Sequence, residues 1–373
     1  MSLADVVRTE LDRLRGLKLT RDPKVIDRVR GPFVSCEGRE RLSFCSNDYL
    51  GIGQDPRVAE AAARAAREHG WGAAASRALQ GTHRLHVELE AAIARVKRAP
   101  AALLFPSGYA ANLGLITTIA SKDTVIASDA LNHASLIDAC RLSRARVEVY
   151  PHRDAAAALR LNASFILTDT VFSMDGDLAP LDALRGDNSS RDVCPPGEDK
   201  HPGKNCPAEL VVDDVHGLGV FGPEGRGNTD VPIQTGNLAK AAGGAGGFVV
   251  GPPELIALLR SAARSWLFTT APPPAACAAS LEALRILEAE PERRERLWAN
   301  IRKLGAESPI KTIVLGSNEA ALAASARLWD LGFFVPAIRP PTVPEGTSRL
   351  RVTVTSMHEP AHVEALLDAL KKL

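Results

Sequence analysis

The chain has 373 residues with 45 Lys+Arg against 44 Asp+Glu, a formal net charge of +1, and that length carries a sizeable core and two or three domains. So even a balance leaves no basic face for nucleic acid or an anionic membrane surface, and it favours small neutral or mildly charged ligands. The 45% hydrophobic content, the 5% aromatic content and the frequent alanine fit a helix-rich globular protein.

The first residues, MSLADVVRTELDRLRGLKL, are charged throughout and set Val6, Val7, Leu11 and Leu14 on one face, which predicts an amphipathic helix and not a secretion signal. No run of about 18 uninterrupted apolar residues occurs, so no membrane span is expected. The six cysteines, Cys36, Cys45, Cys140, Cys194, Cys206 and Cys277, contain no C-x-x-C pair, and a cytosolic protein with reduced thiols is expected. Cys194 and Cys206 share one polar loop but are not expected to pair.

From residue 100 to 251, short apolar runs alternate with alanine-rich helical runs. AALLF (101–105), TVIAS (124–128), RVEVY (146–150), SFILTDT (164–170), ELVVDD (209–214) and GFVVG (247–251) read as strands. Most are continuously apolar, as strands covered on both faces of a mainly parallel sheet are. GYAANLGLITTIA and HASLIDACRLS read as crossover helices, so the fold class is α/β, a mainly parallel sheet sandwiched by helices. Ligands of such sheets sit beyond the carboxyl ends of the strands. After Pro274, long helices precede the strands IKTIVLG, FFVPAI and RLRVTVT, with helices near 318–331 and 359–371, a smaller α+β domain. The boundaries expected are 1–40 for an N-terminal helix and small strands packing on the small domain, 41–275 for the large domain and 276–373 for the small one. Residues 186–208 form the one stretch of low hydrophobicity and are expected to be a polar loop.

Several positions can carry chemistry, each with a plainer reading beside it. In LLFPSGYAAN (103–112) a strand runs through Ser107-Gly108 into a helix, either a simple tight turn or an anion site built from free amides and the helix dipole. VVDDVHGLG (211–219) ends a buried strand with Asp213, Asp214 and His216, either a capped strand end or a proton-holding carboxylate beside a donor. A metal there lacks enough ligands, and His83 and His86 in HRLH are expected on an ordinary helix surface. GLGVFG (217–222) matches G-x-G-x-x-G, but PEGRG follows where the dinucleotide fingerprint needs a helix, so nicotinamide binding is rejected. His133 near a helix start is either a cap or a ring that stacks on a planar cofactor. Arg349 and Arg351 share a strand face, and one of them can clamp a carboxylate with two hydrogen bonds. Lys240 in TGNLAKAAGGAGG is either a solvated surface amine or, among small neighbours, a partly desolvated nucleophile able to form an imine. Together these are the parts a pyridoxal phosphate enzyme needs.

The segments SNDYLG (46–51), SRALQGTHRLHVELE (76–90), FPSGYAANLG, LNHASLIDACRLS, TVFSMDGDLAPL (170–181), VVDDVHGLGVFGPEGRG and IRPPTVPEGTSRLR resemble the α-oxoamine synthase family of fold-type I pyridoxal phosphate enzymes over nearly the whole chain. IRPPTVP is most similar to the branch serving biotin synthesis. The resemblance implies that Lys240 carries pyridoxal 5'-phosphate as an imine and that Asp213 pairs with the pyridine nitrogen. It implies that His216 bonds the ring hydroxyl, that His133 stacks on the ring, and that Gly108, Tyr109, Ser173 and Asn237 line the cofactor. Arg351 would take the amino acid carboxylate, and Arg21, Asn47, His133 and Thr342 would contact substrate. The family works as a homodimer with active sites at the interface, and Thr270 in LFTTAPPP resembles the residue reaching the neighbouring phosphate. The implied reaction joins L-alanine to a pimeloyl thioester of carrier protein or coenzyme A.

Two segments depart from the family pattern. No packed helix is expected between SFILTDT and ELVVDD, where the family has one. NTDVPIQTGNLAK is expected to lack an apolar strand, with Asn237 where a threonine usually contacts the cofactor. These departures keep open a fold-type I homologue without activity, and a sister enzyme using glycine or serine with another thioester also stays open.

Overall fold

The computed structural model describes residues 1–186 and 208–373, so the expected polar loop, with Cys194 and Cys206, lies almost wholly outside the described residues. The chain splits into a large unit, Asp55–Phe172 with Leu178–Pro291, and a smaller unit, Met1–Gln54 with Ser173–Asp177 and Glu292–Leu373.

The large unit is built on a seven-stranded sheet in the order Ala101–Phe105, Gly247–Gly251, Ile233–Asn237, Glu209–Asp213, Phe165–Asp169, Val125–Asp129, Arg146–Tyr150. Only Gly247–Gly251 runs against its neighbours; the five strands beyond it are parallel. Most of the strands are apolar on both faces because both faces are covered. Ile126, Leu167, Val211 and Val249 pack with Leu115, Ile116, Ile256 and Trp266 of the helices on one face. Ala127, Ile166, Leu210 and Val212 pack on the other with Ala158 and Leu184.

Three expectations need correction. The segment NTDVPIQTGNLAK does hold a strand, Ile233–Asn237, parallel to Glu209–Asp213. Periodicity missed it because Gln234 and Thr235, each 2% exposed, are polar and buried. They are answered by hydrogen bonds: Gln234 Nε2 donates to the Val231 carbonyl at 2.5 Å and Thr235 Oγ1 to Asn112 Oδ1 at 2.6 Å. Second, a short helix, Leu181–Arg185, follows Phe165–Asp169 and buries Leu184 against the sheet. Third, His86 is not on a surface: it is fully buried in helix Arg84–Val96, with Nε2 2.8 Å from the Pro272 carbonyl. His83 caps that helix, and no metal-holding group of acidic, histidine or cysteine side chains occurs among the described residues. The described cysteines are free. GLGVFG lies in turns, and a 3-10 turn, Pro223–Gly225, follows it.

A buried ion pair anchors the loop after Glu209–Asp213. Lys97 and Asp214 side chains are each 1% exposed and meet at 2.5 Å. Lys97 Nζ also donates to the carbonyls of Arg226 (2.9 Å) and Asn228 (2.8 Å), using all three of its protons. Asp214 in turn accepts from Asn228 N at 2.9 Å and Thr170 Oγ1 at 2.8 Å. The loop crosses so close that a Cβ on Gly227, whose φ is +74°, would run into the Asp214 carboxylate and Lys97 Nζ. Only glycine meets both demands at position 227.

The smaller unit holds a sheet of Arg28–Arg30, Phe33–Cys36, Arg39–Ser43 and Phe333–Phe334, and another of Ile310–Gly316, Ser348–Thr353 and Ala337–Ile338. The single strand expected in FFVPAI is thus broken, its halves joining different sheets around Pro336. Helix Leu3–Gly16 forms as expected, but it buries no residue: Val6 and Val7 stay 48% and 49% exposed. No described helix is long and apolar enough to cross a membrane.

In the SNDYLG loop, Asp48 accepts from Gly53 N at 3.1 Å, and burial pushes its carboxyl up to about 6 from 3.8. The folded chain therefore holds a proton that the unfolded chain releases, so Asp48's contribution to stability is full below about pH 4 and lost as pH rises through 6. Urea unfolding should show wild type losing up to about 3 kcal/mol relative to Asp48→Asn between pH 4 and pH 7; a difference independent of pH would contradict this. Removing one partner of the Lys97–Asp214 pair strands the other charge in the core, so Lys97→Met should cost about 3–5 kcal/mol of unfolding free energy. A loss below about 1 kcal/mol, the scale of exposed pairs, would show that the pair is not sealed from water.

Candidate active site

At the carboxyl edge of the large sheet, strand Ala101–Phe105 turns through Ser107 into helix Gly108–Ile119. Ser107 caps the helix by accepting from Ala110 N at 3.1 Å, which leaves the first-turn amides and the positive end of the helix dipole pointing outward. A Cβ on Gly108 would meet Asn237 Nδ2 at 3.1 Å, so the glycine keeps this corner open beside the end of strand Ile233–Asn237. Tyr109 next to it is 44% exposed, its hydroxyl donating to Asp138 at 2.8 Å.

Asp213 ends its strand 5% exposed. Its Oδ2 accepts from Asn112 Nδ2 at 2.7 Å and its Oδ1 from Val215 N at 3.1 Å. Burial pushes its carboxyl up, opposed by the Asn112 hydrogen bond and the nearby His133. Asp169, its register partner on the next strand, is pushed up further, by burial first and then by the Asp213 charge. Asp169 Oδ2 accepts from the His133 amide at 2.7 Å. That bond fixes the start of helix Ala134–Ser143, which the exposed His133 caps. His216, 2% exposed, lies three residues beyond Asp213.

Lys240 is half-buried in the loop joining Ile233–Asn237 to Gly247–Gly251. The loop closes on itself through Leu238 N to Gly246 O and Gly243 N to Lys240 O, with Ala241 and Ala242 buried beneath. Asn237 Oδ1 accepts from Ala239 N at 2.7 Å, shaping the turn before the lysine. Gly108, His133, Asp213, Asn237 and Lys240 are thus all set by one sheet edge. Thr270 stands apart, exposed and paired through its backbone with Ser76.

The smaller unit gathers a second set of expected residues. Arg351, 5% exposed, donates from Nε to the Ser173 carbonyl at 2.6 Å, from Nη1 to Thr353 Oγ1 at 2.9 Å and from Nη2 to Asn47 Oδ1 at 3.2 Å. The neighbouring candidate, Arg349, is neutralised by Asp175 at 2.5 Å. The two arginines therefore separate: Arg349 makes an internal ion pair, while neutral oxygens hold the Arg351 charge. Arg21 and Thr342, both exposed, converge on one turn: Arg21 Nη2 donates to the Pro340 carbonyl at 2.9 Å, and Thr342 N to the Arg339 carbonyl at 3.2 Å.

Sequence reasoning missed Asn112, Asp169 and Thr235. Asn112 carried a readable signal, a short polar amide inside an apolar helix, where such residues are disfavoured unless they bond something. The large-unit residues fit pyridoxal phosphate chemically. The glycine-opened helix start suits a phosphate, the buried Asp213 suits a cationic ring nitrogen, and the Lys240 amine suits an aldehyde.

The aminotransferase class I and II family model matches residues 39–186 and 204–370. An 8-amino-7-oxononanoate synthase of Anaeromyxobacter dehalogenans (strain 2CP-1) is 43% identical over 391 residues, covering 98% of this chain and 94% of its own. That of Azoarcus sp. (strain BH72) is 41% identical over 397 residues, covering 100% and 98%. A solved serine palmitoyltransferase from S. paucimobilis, with bound PLP–myriocin aldimine, matches with a TM-score of 0.87 at 29% identity, covering 100% of this chain and 98% of its own. The chain belongs to the aminotransferase class I and II family, within its 8-amino-7-oxononanoate synthase branch.

Proposed function

We propose that the chain is a pyridoxal phosphate-dependent acyltransferase that condenses L-alanine with a pimeloyl thioester, of carrier protein or coenzyme A, to 8-amino-7-oxononanoate for biotin synthesis. In balance, a bond forms between the alanine α-carbon and the acyl carbon, the thioester C–S bond breaks to release a thiol, and the alanine carboxylate leaves as carbon dioxide. The observation that carries this reading is Asp213, a carboxylate buried at the ligand edge of the sheet with its charge answered only by neutral donors among its hydrogen bonds. The near-full-length similarity to 8-amino-7-oxononanoate synthases supports the choice of substrates.

When bound, pyridoxal phosphate supplies a protonated ring that draws electrons from the amino acid α-carbon. Asp213 holds that ring proton, and the amides at Gly108 and Tyr109 take the phosphate. His216 would bond the ring hydroxyl, His133 would stack on the ring, and Ser173 and Asn237 would complete the lining. Lys240 would hold the cofactor's aldehyde through its amine and would be the base for the α-proton. Arg351 would clamp the alanine carboxylate, since its charge has no carboxylate partner among the described residues, and Asn47, Arg21 and Thr342 would contact substrate.

We further infer a cytoplasmic homodimer. Trp71, Leu79 and Phe268 are 73%, 78% and 72% exposed. Leu79 and Phe268 flank segments tied by Ala271 N to Ala75 O and by the Ser76–Thr270 bridge. An apolar surface of that kind marks an interface, and Thr270 would reach the partner's phosphate from it.

Purified protein should show a visible cofactor band that Lys240→Ala removes together with turnover; a band that survives would overturn the assignment of the lysine. Turnover with alanine and pimeloyl thioester should exceed that with glycine or serine and acetyl, succinyl or palmitoyl thioester, and the reverse order would make the chain a sister enzyme. Arg351→Ala should raise KM for alanine by about 10- to 100-fold, the worth of a hydrogen-bonded charge pair. Leu79→Asp with Phe268→Asp should give monomers in sedimentation, and an unchanged dimer would place the interface elsewhere.

A further inference from the structure

Asn112 is 1% exposed on helix Gly108–Ile119, one turn past Gly108. All of its side-chain amide is committed. Oδ1 accepts from Thr235 Oγ1 at 2.6 Å, while Nδ2 donates one proton to Asp213 Oδ2 at 2.7 Å and the other to Ser135 Oγ at 2.8 Å. The orientation follows from chemistry, because an ionised Asp213 only accepts and so must face the NH2 end. Ser135 Oγ, having accepted from Asn112, turns its single proton to His133 Nδ1, 2.7 Å away. The Ser135 amide aims at the same nitrogen from 3.2 Å. Two donors on Nδ1 make it the lone-pair nitrogen, so the neutral His133 ring carries its proton on Nε2.

We propose that Asn112 is a positioning residue for the cofactor: one buried amide sets the Asp213 carboxylate and, through Ser135, the Nε2–H tautomer and ring orientation of His133. The proposal rests on the cofactor roles proposed above for Asp213 and His133. Its consequence is coupling. Groups that would meet the ring nitrogen and the ring face are tied to one side chain that touches neither, so disturbing it disturbs both. Thr235, on the strand that leads to Lys240, orients the same amide from its other end.

The test uses the full chain, stripped of cofactor and titrated with pyridoxal 5'-phosphate, in wild type, Asn112→Leu, Ser135→Ala and the double variant. Asn112→Leu should weaken pyridoxal 5'-phosphate binding at least about tenfold, as loss of a hydrogen bond to a charged group does, and lower kcat while KM for alanine stays within about threefold. Ser135→Ala keeps the Asp213 arm, so it should bind the cofactor nearly as well as wild type. In nitrogen-15 spectra of the histidine-labelled apo chain it should shift His133 from a single Nε2–H form to a mixture. The double variant should bind the cofactor as Asn112→Leu does, since Ser135 acts on His133 and not on Asp213. A folded Asn112→Leu with wild-type affinity, or a His133 already mixed in wild type, overturns the proposal. If Asn112→Leu fails to fold, the Ser135→Ala spectra decide it alone. A wild-type chain that binds no pyridoxal 5'-phosphate overturns the function and this role together, whereas normal wild-type binding with unaltered variants overturns this role only.

Discussion

A carboxylate buried at the end of a parallel strand must be answered, or it will hold a proton instead of a charge. Asp213 is that group, and the large unit is arranged around it. Asn112 and the Val215 amide meet its two oxygens, and Asp169 stands beside it in register, where the Asp213 charge adds to burial in raising the cost of ionising Asp169. Hydrogen bonds from neutral groups do not remove that cost. A cation delivered to the same edge would, which is why the proposed function places a protonated ring nitrogen at this corner. The buried acid thus ties fold to proposed chemistry: the sheet supplies the burial, and the burial creates the demand for a positive ligand.

The next residue faces the other way, as successive side chains of a strand do. Asp214 points to the side where Lys97 waits at the end of helix Arg84–Val96, and there the demand is met inside the protein. Two adjacent acids, both buried, therefore have different partners. Asp214 is closed by a lysine with all three protons engaged, and so ties the loop from 214 to 228 that carries His216. Asp213 has only neutral donors among its hydrogen bonds. The glycine at 227 is the steric condition for this division, since any side chain there would part the lysine from its carboxylate.

Much of this was legible in the sequence wherever burial selects apolar residues. AALLF, RVEVY and GFVVG are strands over the residues quoted, and the helices at SGYAAN and NHASL begin where their caps stand. Failure came where polar side chains are buried and satisfied, because periodicity counts only apolar ones. Ile233–Asn237 was hidden by Gln234 and Thr235, His86 by its bond to Pro272, and Asn112 by the apolar helix around it. All three are positions whose partners lie far along the chain, at Asn112, Pro272 and Asp213. Lys240 was visible for the opposite reason, a charge in a window of small residues whose turn needs no distant partner to be read.

Arg349 and Arg351 show what structure adds to a motif. Sequence spacing puts them on one strand face and can go no further, since both have the same chemistry. The Ser173–Asp177 segment separates them, giving Asp175 to the first and the Ser173 carbonyl to the second. A guanidinium held by a backbone carbonyl, a hydroxyl and an amide oxygen is oriented without being neutralised. It keeps a full charge in a buried place, a condition that costs stability unless an anion arrives, and the same logic governs Asp213 with the sign reversed. The large unit holds a buried acid met by neutral donors, and the smaller unit a buried guanidinium held by neutral oxygens. In the proposed function an amino acid carboxylate and a protonated ring nitrogen would be the complementary charges, and a buried charge without an oppositely charged hydrogen-bond partner is what separates each residue from the ion pairs that only hold the fold.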